Sequence, residues 1–288
     1  DILVLIHART SISRQLLEKL PRLKLIVHTG SSSEHIDIAA CTERHIAVAA
    51  GSKCPESAAE LTWALLMAAS RRLPQYTANL RHGVWQQSGL KAASMPPNFC
   101  LGTRLNGKTL GLWGFGSVGQ MVATYGRAFG MHVLIWGSEH SRQRAADAGF
   151  AVAANKEQLF SESDFLSLHL RLLADTRGLI TLSDLCLMKP TAVLINTSHA
   201  ELLQTDVLVT ALNRGRPGMA AVDVLDSEPV LPGNTLLRLE NCLCTPHIGH
   251  VEREAYEHDF NEAFDSILAF IAGQPVNLVN PQALRMLR

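Results

Sequence analysis

Apolar residues along this 288-residue chain gather in short runs, separated by longer stretches in which they recur at helical spacing. The runs lie at 2–6, 25–27, 47–49, 110–113, 133–136, 165–168, 192–196, 220–224 and 242–245. They are too brief for helices and too continuously apolar for half-exposed strands, so they predict strands buried on both faces, as in a parallel sheet covered by helices. Helices are expected over 57–73, stopped near Pro74, then over 76–81, 120–129 and 253–272, the last ending at Gly273 with Pro275 beyond. Alternating strand and helix argues an α/β fold built on doubly wound parallel sheets. A loop rich in Ser, Pro and Asn at 94–98 forms a boundary ahead of the strand at 110–113. The final helix follows the last core strand and is expected to pack on the first domain. The expected division is therefore one domain from 1–56 with 253–288 and another over 57–252.

The run Leu110-Gly-Leu-Trp-Gly-Phe-Gly-Ser-Val-Gly119 sets Gly114, Gly116 and Gly119 in G-x-G-x-x-G spacing between a strand and a helix. That context gives the glycines a physical reading. The first permits a tight turn, the second lets the backbone approach a pyrophosphate, and the third lets the helix pack close to the strand. The helix N-terminus supplies free N–H groups and the positive end of a dipole. Gly114, Phe115, Gly116, Ser117, Val118 and Gly119 are thus the expected dinucleotide cradle.

Composition narrows the partners. With 47% hydrophobic and 18% charged residues, the chain has the make-up of a globular protein with a large core. Lys plus Arg equals Asp plus Glu at 26 each, so no net field favours nucleic acid or an anionic membrane. No apolar run approaches a membrane span and the N-terminus reads as a strand, from which a cytoplasmic location is expected. The six cysteines are scattered, mostly inside apolar segments, and Cys242-x-Cys244 fits neither a zinc knuckle nor a C-x-x-C redox motif. They read as reduced core residues, with no metal site expected.

Polar chemistry collects after the later strands, where ligands sit in open α/β sheets. Ile195-Asn-Thr-Ser-His-Ala-Glu201, Val222-Asp-Val-Leu-Asp-Ser-Glu-Pro229 and Leu243-Cys-Thr-Pro-His-Ile-Gly249 each leave a buried run in polar side chains. A histidine beside a carboxylate can hand a proton to a carbonyl oxygen as hydride reaches its carbon, and His247 with Glu228 is the best such pair. Any one of the twelve histidines would ordinarily be a loop or core residue. Joint placement downstream of a dinucleotide turn makes this pair a candidate.

These segments resemble the D-isomer-specific 2-hydroxyacid dehydrogenases, the family of D-3-phosphoglycerate dehydrogenase and the glyoxylate/hydroxypyruvate reductases. The likeness runs from about residue 1 to residue 281. It is carried by Leu23-Lys-Leu-Ile26, Ala59-Glu-Leu-Thr-Trp-Ala-Leu65, Gly107-Lys-Thr-Leu-Gly111, Ser163-Asp-Phe-Leu-Ser-Leu-His169, Thr176-Arg-Gly-Leu-Ile180, Met188-Lys-Pro190, Asn196-Thr-Ser198, Asp223-Val224 with Glu228-Pro229, and Thr245-Pro-His-Ile-Gly249. The resemblance implies two Rossmann-like α/β domains, one flavodoxin-like and one dinucleotide-binding, with the active site in the cleft between them. Family members begin with a further strand and helix ahead of the segment that Asp1-Ile-Leu-Val matches, so it also implies that the chain lacks this first piece.

Carried over residue by residue, the resemblance makes His247 the acid/base and Glu228 the carboxylate that favours its protonated form. Asp223 and Thr197 are expected near the nicotinamide, and His169 and Leu170 among the cofactor-binding residues. Gly30, Ser31 and Ser32 belong to a loop expected to hold the substrate carboxylate through backbone N–H groups. Where the family places an arginine that grips the 2-oxo acid, this chain has His199. Histidine lacks the permanent charge and the two-pronged fork, so substrate binding and carbonyl polarisation are expected to weaken.

The family's usual aspartate after the second strand of the dinucleotide domain is Gly137 here. Loss of that acid removes the barrier to a ribose 2′-phosphate, which Ser138, Ser141 and Arg142 could accept, while Glu139 argues for NAD if it turns inward. The expected cofactor is NAD(P), with the residues favouring NADP. Two function classes follow. One is an NAD(P)-dependent reductase of small 2-oxo acids such as glyoxylate or hydroxypyruvate. The other is a dinucleotide sensor with little turnover, like the transcriptional corepressors that share the fold. The apolar helix at 57–73 and the region of Trp85 are expected to form the face of a homodimer.

Overall fold

The computed structural model describes residues 2–5, 11–30, 35–52, 54–83, 85 and 101–285; the loop expected at 94–98, with Ser31 and Ser32, lies outside them. Two compact units make up the chain: Asp1–Cys54 with His250–Arg288, and Pro55–Gly249. Among the described residues, no helix is long and apolar enough to cross a membrane.

In the first unit, β1 (Ile2–Leu5), β2 (Leu25–His28) and β3 (Ala47–Ala50) form a parallel sheet in that order. Successive side chains of a strand point to opposite faces, and β2 and β3 use both. Ile26 and Val48 pack with Ile12, Leu17, Ile36, Ala40 and Cys41. Leu25, Val27, Ala47 and Ala49 pack instead with Ala263 of the helix Arg253–Ile271. The C-terminal segment is stitched to β3 by Asn280, a buried side chain whose Oδ1 accepts the Val48 N–H at 2.7 Å. Its Nδ2 donates to the Ile46 carbonyl at 3.0 Å and to Thr42 Oγ1 at 2.9 Å. The amide is thereby bonded at both ends, which is what makes its burial tolerable.

The second unit holds a seven-stranded parallel sheet of β4 (Thr109–Trp113), β5 (His132–Trp136), β6 (Ala151–Val152), β7 (Phe165–Leu168), β8 (Val193–Asn196), β9 (Met219–Val222) and β10 (Cys242–Cys244). Its order is β10-β9-β8-β7-β4-β5-β6. The chain leaves β4 to one side for β5 and later returns on its other side as β7, so β4 is the switch point at which such sheets open a crevice. One face packs Leu110, Leu112, Val193, Ile195, Met219 and Ala221 under the helices Pro55–Ser70 and Ser117–Ala128. The alternate residues Leu166, Leu168, Leu194, Ala220 and Val222 face a second core. Burial of each such Leu, Ile or Val contributes about 1.5–3 kcal/mol, which accounts for the unbroken apolar runs.

Three expectations are corrected. β6 was not foreseen: it is a two-residue edge strand with Ala151 exposed, within the short apolar stretch Phe150–Ala154. The helix expected over 57–73 spans Pro55–Ser70, and Pro74 does not stop it. Arg72 turns the chain at φ 55°, and Pro74 lies in the first turn of the next helix, Leu73–Arg81, where a missing N–H costs nothing. Within Pro55–Ser70, Ala59, Leu65, Leu66 and Ala69 are buried inside its own unit. Of the described cysteines only Cys41 is fully buried; Cys54, Cys186, Cys242 and Cys244 are half-buried, the last two against the sheet's core, and all five are free thiols.

Candidate active site

The glycine turn joins β4 to Ser117–Ala128, so this helix begins three residues earlier than its apolar spacing suggested. Gly116 is its N-cap and offers no side-chain cap, and the first intrahelical bond runs from Gln120 N to Gly116 O at 3.0 Å. The amides of Ser117, Val118 and Gly119 therefore precede the hydrogen-bonded ladder. Gly114 has φ 106°, and a Cβ there would strike the His169 carbonyl at the end of β7. A Cβ on Gly116 would meet nothing within 4 Å. One glycine is thus required by the fold, while the other keeps the helix N-terminus open. Such a cradle fits a dinucleotide pyrophosphate on steric and electrostatic grounds. Phe115 can contribute only backbone, because its side chain is buried against Phe150 with ring centroids 5.7 Å apart. The side chains of Val118 and Leu170 likewise pack against the cores.

Beside this turn lies the end of β5. Ser138 caps the helix Glu139–Asp147 by accepting from Ser141 N, and its hydroxyl donates to Ser141 Oγ at 3.2 Å. Arg142 lays its guanidinium over the Trp136 ring at 4.8 Å, and its Nε is buried with no hydrogen-bond partner. Glu139 is exposed. At the end of β7, the His169 Nε2 and Ser167 Oγ are 3.0 Å apart, and burial pushes the imidazole pKa down to about 4.

The strongest convergence is at the ends of β8, β9 and β10. His247 Nδ1 lies 2.7 Å from Glu228 Oε2, and Glu228 Oε1 accepts the Leu225 N–H at 3.0 Å. His247 adopts φ 54°, in the left-handed region that a β-carbon disfavours. The buried Asp223 explains how that turn is held: its Oδ1 accepts from Thr245 Oγ1 at 2.6 Å and from Ile248 N at 2.9 Å, and its Oδ2 from Gly249 N at 2.9 Å. Both oxygens of a residue expected beside the nicotinamide are thus committed to the loop carrying His247. On β8, the Asn196 side chain donates to the His199 carbonyl at 2.8 Å and accepts from Ser198 N at 3.1 Å, so the segment bearing His199 is pinned to the sheet. Thr197 Oγ1 meets Thr62 Oγ1 at 2.6 Å. Asn196, Thr245 and Thr62 were not singled out from the sequence, although all three stand in its quoted motifs. Gly30 (φ 82°) belongs to the first unit, where its carbonyl accepts from Gly51 N at 2.9 Å.

A switch-point glycine turn, an open helix N-terminus and a histidine–carboxylate pair at the strand ends of one parallel sheet define a dinucleotide-dependent oxidoreductase domain. Residues 63–249 match the family model described as D-isomer specific 2-hydroxyacid dehydrogenase, NAD binding domain, and the chain belongs to that family. It is 36% identical over 277 residues to a glyoxylate reductase of Aeropyrum pernix, covering 96% of this chain and 82% of the relative. A crystal structure from Ralstonia solanacearum, assigned as a D-3-phosphoglycerate dehydrogenase oxidoreductase, is similar at TM-score 0.95 and 57% identity, covering 100% of this chain and 86% of that one. A D-lactate dehydrogenase of Aquifex aeolicus, complexed with NAD and lactic acid, is similar at TM-score 0.80 and 29% identity over 97% of this chain and 86% of that one.

Proposed function

We propose that the chain reduces small 2-oxo acids of the glyoxylate or hydroxypyruvate class to D-2-hydroxy acids, with His247 as proton donor and Glu228 as the carboxylate that orients it. The carrying observation is the 2.7 Å contact of His247 Nδ1 with Glu228, at the strand ends of the sheet that bears the glycine turn. Anchoring Nδ1 fixes the tautomer and directs proton exchange to Nε2. Gly114 to Gly119, His169, Leu170 and Thr197 would hold the cofactor, which supplies or accepts hydride when bound. The proton that completes reduction goes from His247 to the carbonyl oxygen, and in the reverse direction His247 takes it from the hydroxyl. His199 does part of an arginine's work on the substrate carboxylate, with fewer donors and no permanent charge. Gly30, Ser31 and Ser32 are proposed, from the sequence, to bind a carboxylate through backbone N–H groups.

NADP is the favoured cofactor. Gly137 leaves no acid at the end of β5, Ser138 and Ser141 sit at a helix start, and Arg142 has a buried Nε awaiting a partner. The free thiols fit a reducing, cytoplasmic compartment. A homodimer is supported by the apolar residues displayed by the helix Leu73–Arg81 and the segment after it, with Leu80 56% and Trp85 74% exposed.

Steady-state assay of glyoxylate and hydroxypyruvate with NADPH and NADH tests the reading. His247→Ala is expected to lower kcat by about a hundredfold or more, and Glu228→Gln to lower it less. An unaltered kcat in His247→Ala, or a clear preference for NADH, would overturn the corresponding assignment.

A further inference from the structure

Cys242 and Cys244 sit two residues apart on β10, so their side chains leave the same face of the strand. Their sulfurs are 3.6 Å apart and unbonded. Among the described residues β10 pairs only with β9, so its outer edge carries no described ladder that would resist bending. The strand runs directly into Thr245, which is anchored through Oγ1 to Asp223, and then into His247.

We infer that Cys242 and Cys244 form a dithiol that a hydroperoxide closes to a disulfide, displacing His247 and switching the enzyme off. The inference rests on the reading of His247 as proton donor. The two sulfurs share one thiol contact, and with Cys242 donating, the Cys244 pKa is held below the usual thiol value, which makes Cys244 the attacking sulfur. The same contact, with burial, pushes Cys242 up, and Cys242 is the resolving thiol. A low-pKa, partly accessible thiol beside a resolving thiol is the arrangement of redox-sensing cysteines. Cys41, by contrast, is buried and pushed up to about 11, which leaves it inert.

The chemistry balances. The Cys244 thiolate attacks one peroxide oxygen, the O–O bond breaks, and sulfenic acid and hydroxide form. The Cys242 thiol then attacks the Cys244 sulfur, forming the S–S bond and expelling the oxygen as water. In sum, two thiols and one hydrogen peroxide give one disulfide and two waters; the sulfurs are oxidised and the peroxide is reduced.

Closure has a mechanical consequence. Disulfide sulfurs sit about 2.05 Å apart with Cβ atoms about 3.8 Å apart, closer than alternate positions of an extended strand allow. β10 must therefore buckle, and the buckle is transmitted through Thr245 to the loop that Asp223 holds. A strained bridge is also readily reduced, which suits a reversible switch and not a permanent staple.

The test treats the full-length chain with hydrogen peroxide and follows NADPH-dependent glyoxylate reduction alongside non-reducing peptide mass analysis. The expected result is one peptide carrying both cysteines that has lost two hydrogens, a kcat lower by up to about a hundredfold, and recovery with dithiothreitol. Cys244→Ser and Cys242→Ser should retain their activity through the same treatment. Absence of the bridge, a bridge with unchanged kcat, or parallel loss in both serine variants would overturn the inference. Bridge formation is read by mass, so it stands apart from the role of His247, which His247→Ala tests in reduced protein.

Discussion

The carboxylate of Asp223 accepts the Gly249 amide at 2.9 Å, and that one bond ties the end of β9 to the far side of the turn carrying His247. With the bonds from Ile248 N and Thr245 Oγ1, a single buried side chain defines where the imidazole sits. Asp223→Ala leaves two amides without their acceptor and should destabilise the second unit by about 3 kcal/mol, read as a lower denaturation midpoint. Asp223→Asn keeps one acceptor and should lower kcat more than it raises the cofactor Kd. If Asp223→Asn weakens cofactor binding while kcat at saturation holds, the residue serves the nicotinamide and not the loop.

Gly114 and Gly116 should separate cleanly on mutation. Gly114→Ala puts a β-carbon against the His169 carbonyl at φ 106°, so both the melting temperature and the cofactor affinity should fall. Gly116→Ala, at φ −75° with open space ahead, should leave the melting temperature unchanged and weaken only the cofactor. Differential scanning calorimetry with fluorescence titration checks both arms. A folding defect in Gly116→Ala would count against the open-cradle reading.

His169 predicts acid lability. Its folded pKa of about 4 lies below the usual imidazole value of 6.5, so the unfolded chain binds the extra proton. The stability contributed by the neutral imidazole is complete above pH 6.5 and is lost as pH falls towards 4, by about 3 kcal/mol in all. Urea denaturation at steps between these limits should show the decline, and His169→Gln should flatten it.

His199→Arg restores a charged fork, worth about 1.5–3 kcal/mol against a carboxylate, and should raise kcat/KM for glyoxylate by about tenfold or more. Side-by-side kinetics decide the matter. A native protein already as fast as the arginine variant would make His199 an adaptation to another substrate.

The strands were legible because two-sided burial leaves apolar runs that little else produces, as in Val193–Asn196 and Met219–Val222. β6 escaped because only two residues of the apolar stretch Phe150–Ala154 pair, at the sheet's edge. At Pro55–Ser70 the same signal gives a helix but not its neighbour, since a helix packed on its own sheet and one packed on a second copy read alike in apolar content. In the site, the glycine spacing, His247 and Glu228 could be read in sequence. The grip of Asp223 on Ile248 and Gly249 could not, because it depends on a loop some twenty-five residues downstream folding back onto β9. The contact between the Cys242 and Cys244 sulfurs was equally hidden: alternation along a strand fixes a shared face but not a rotamer.

The stitching of Asn280 to β3 bears on the order in which the protein matures. Synthesis supplies the strands of the first unit early, yet the helix that covers one face of their sheet and the amide that seals their edge come from the end of the chain. Every residue of Pro55–Gly249 has emerged before either arrives, so the later-made unit completes its core first and the earlier-made one waits. A polypeptide stalled short of Asn280 would carry a finished dinucleotide domain and an uncapped sheet, the form that chaperones and proteases meet during translation.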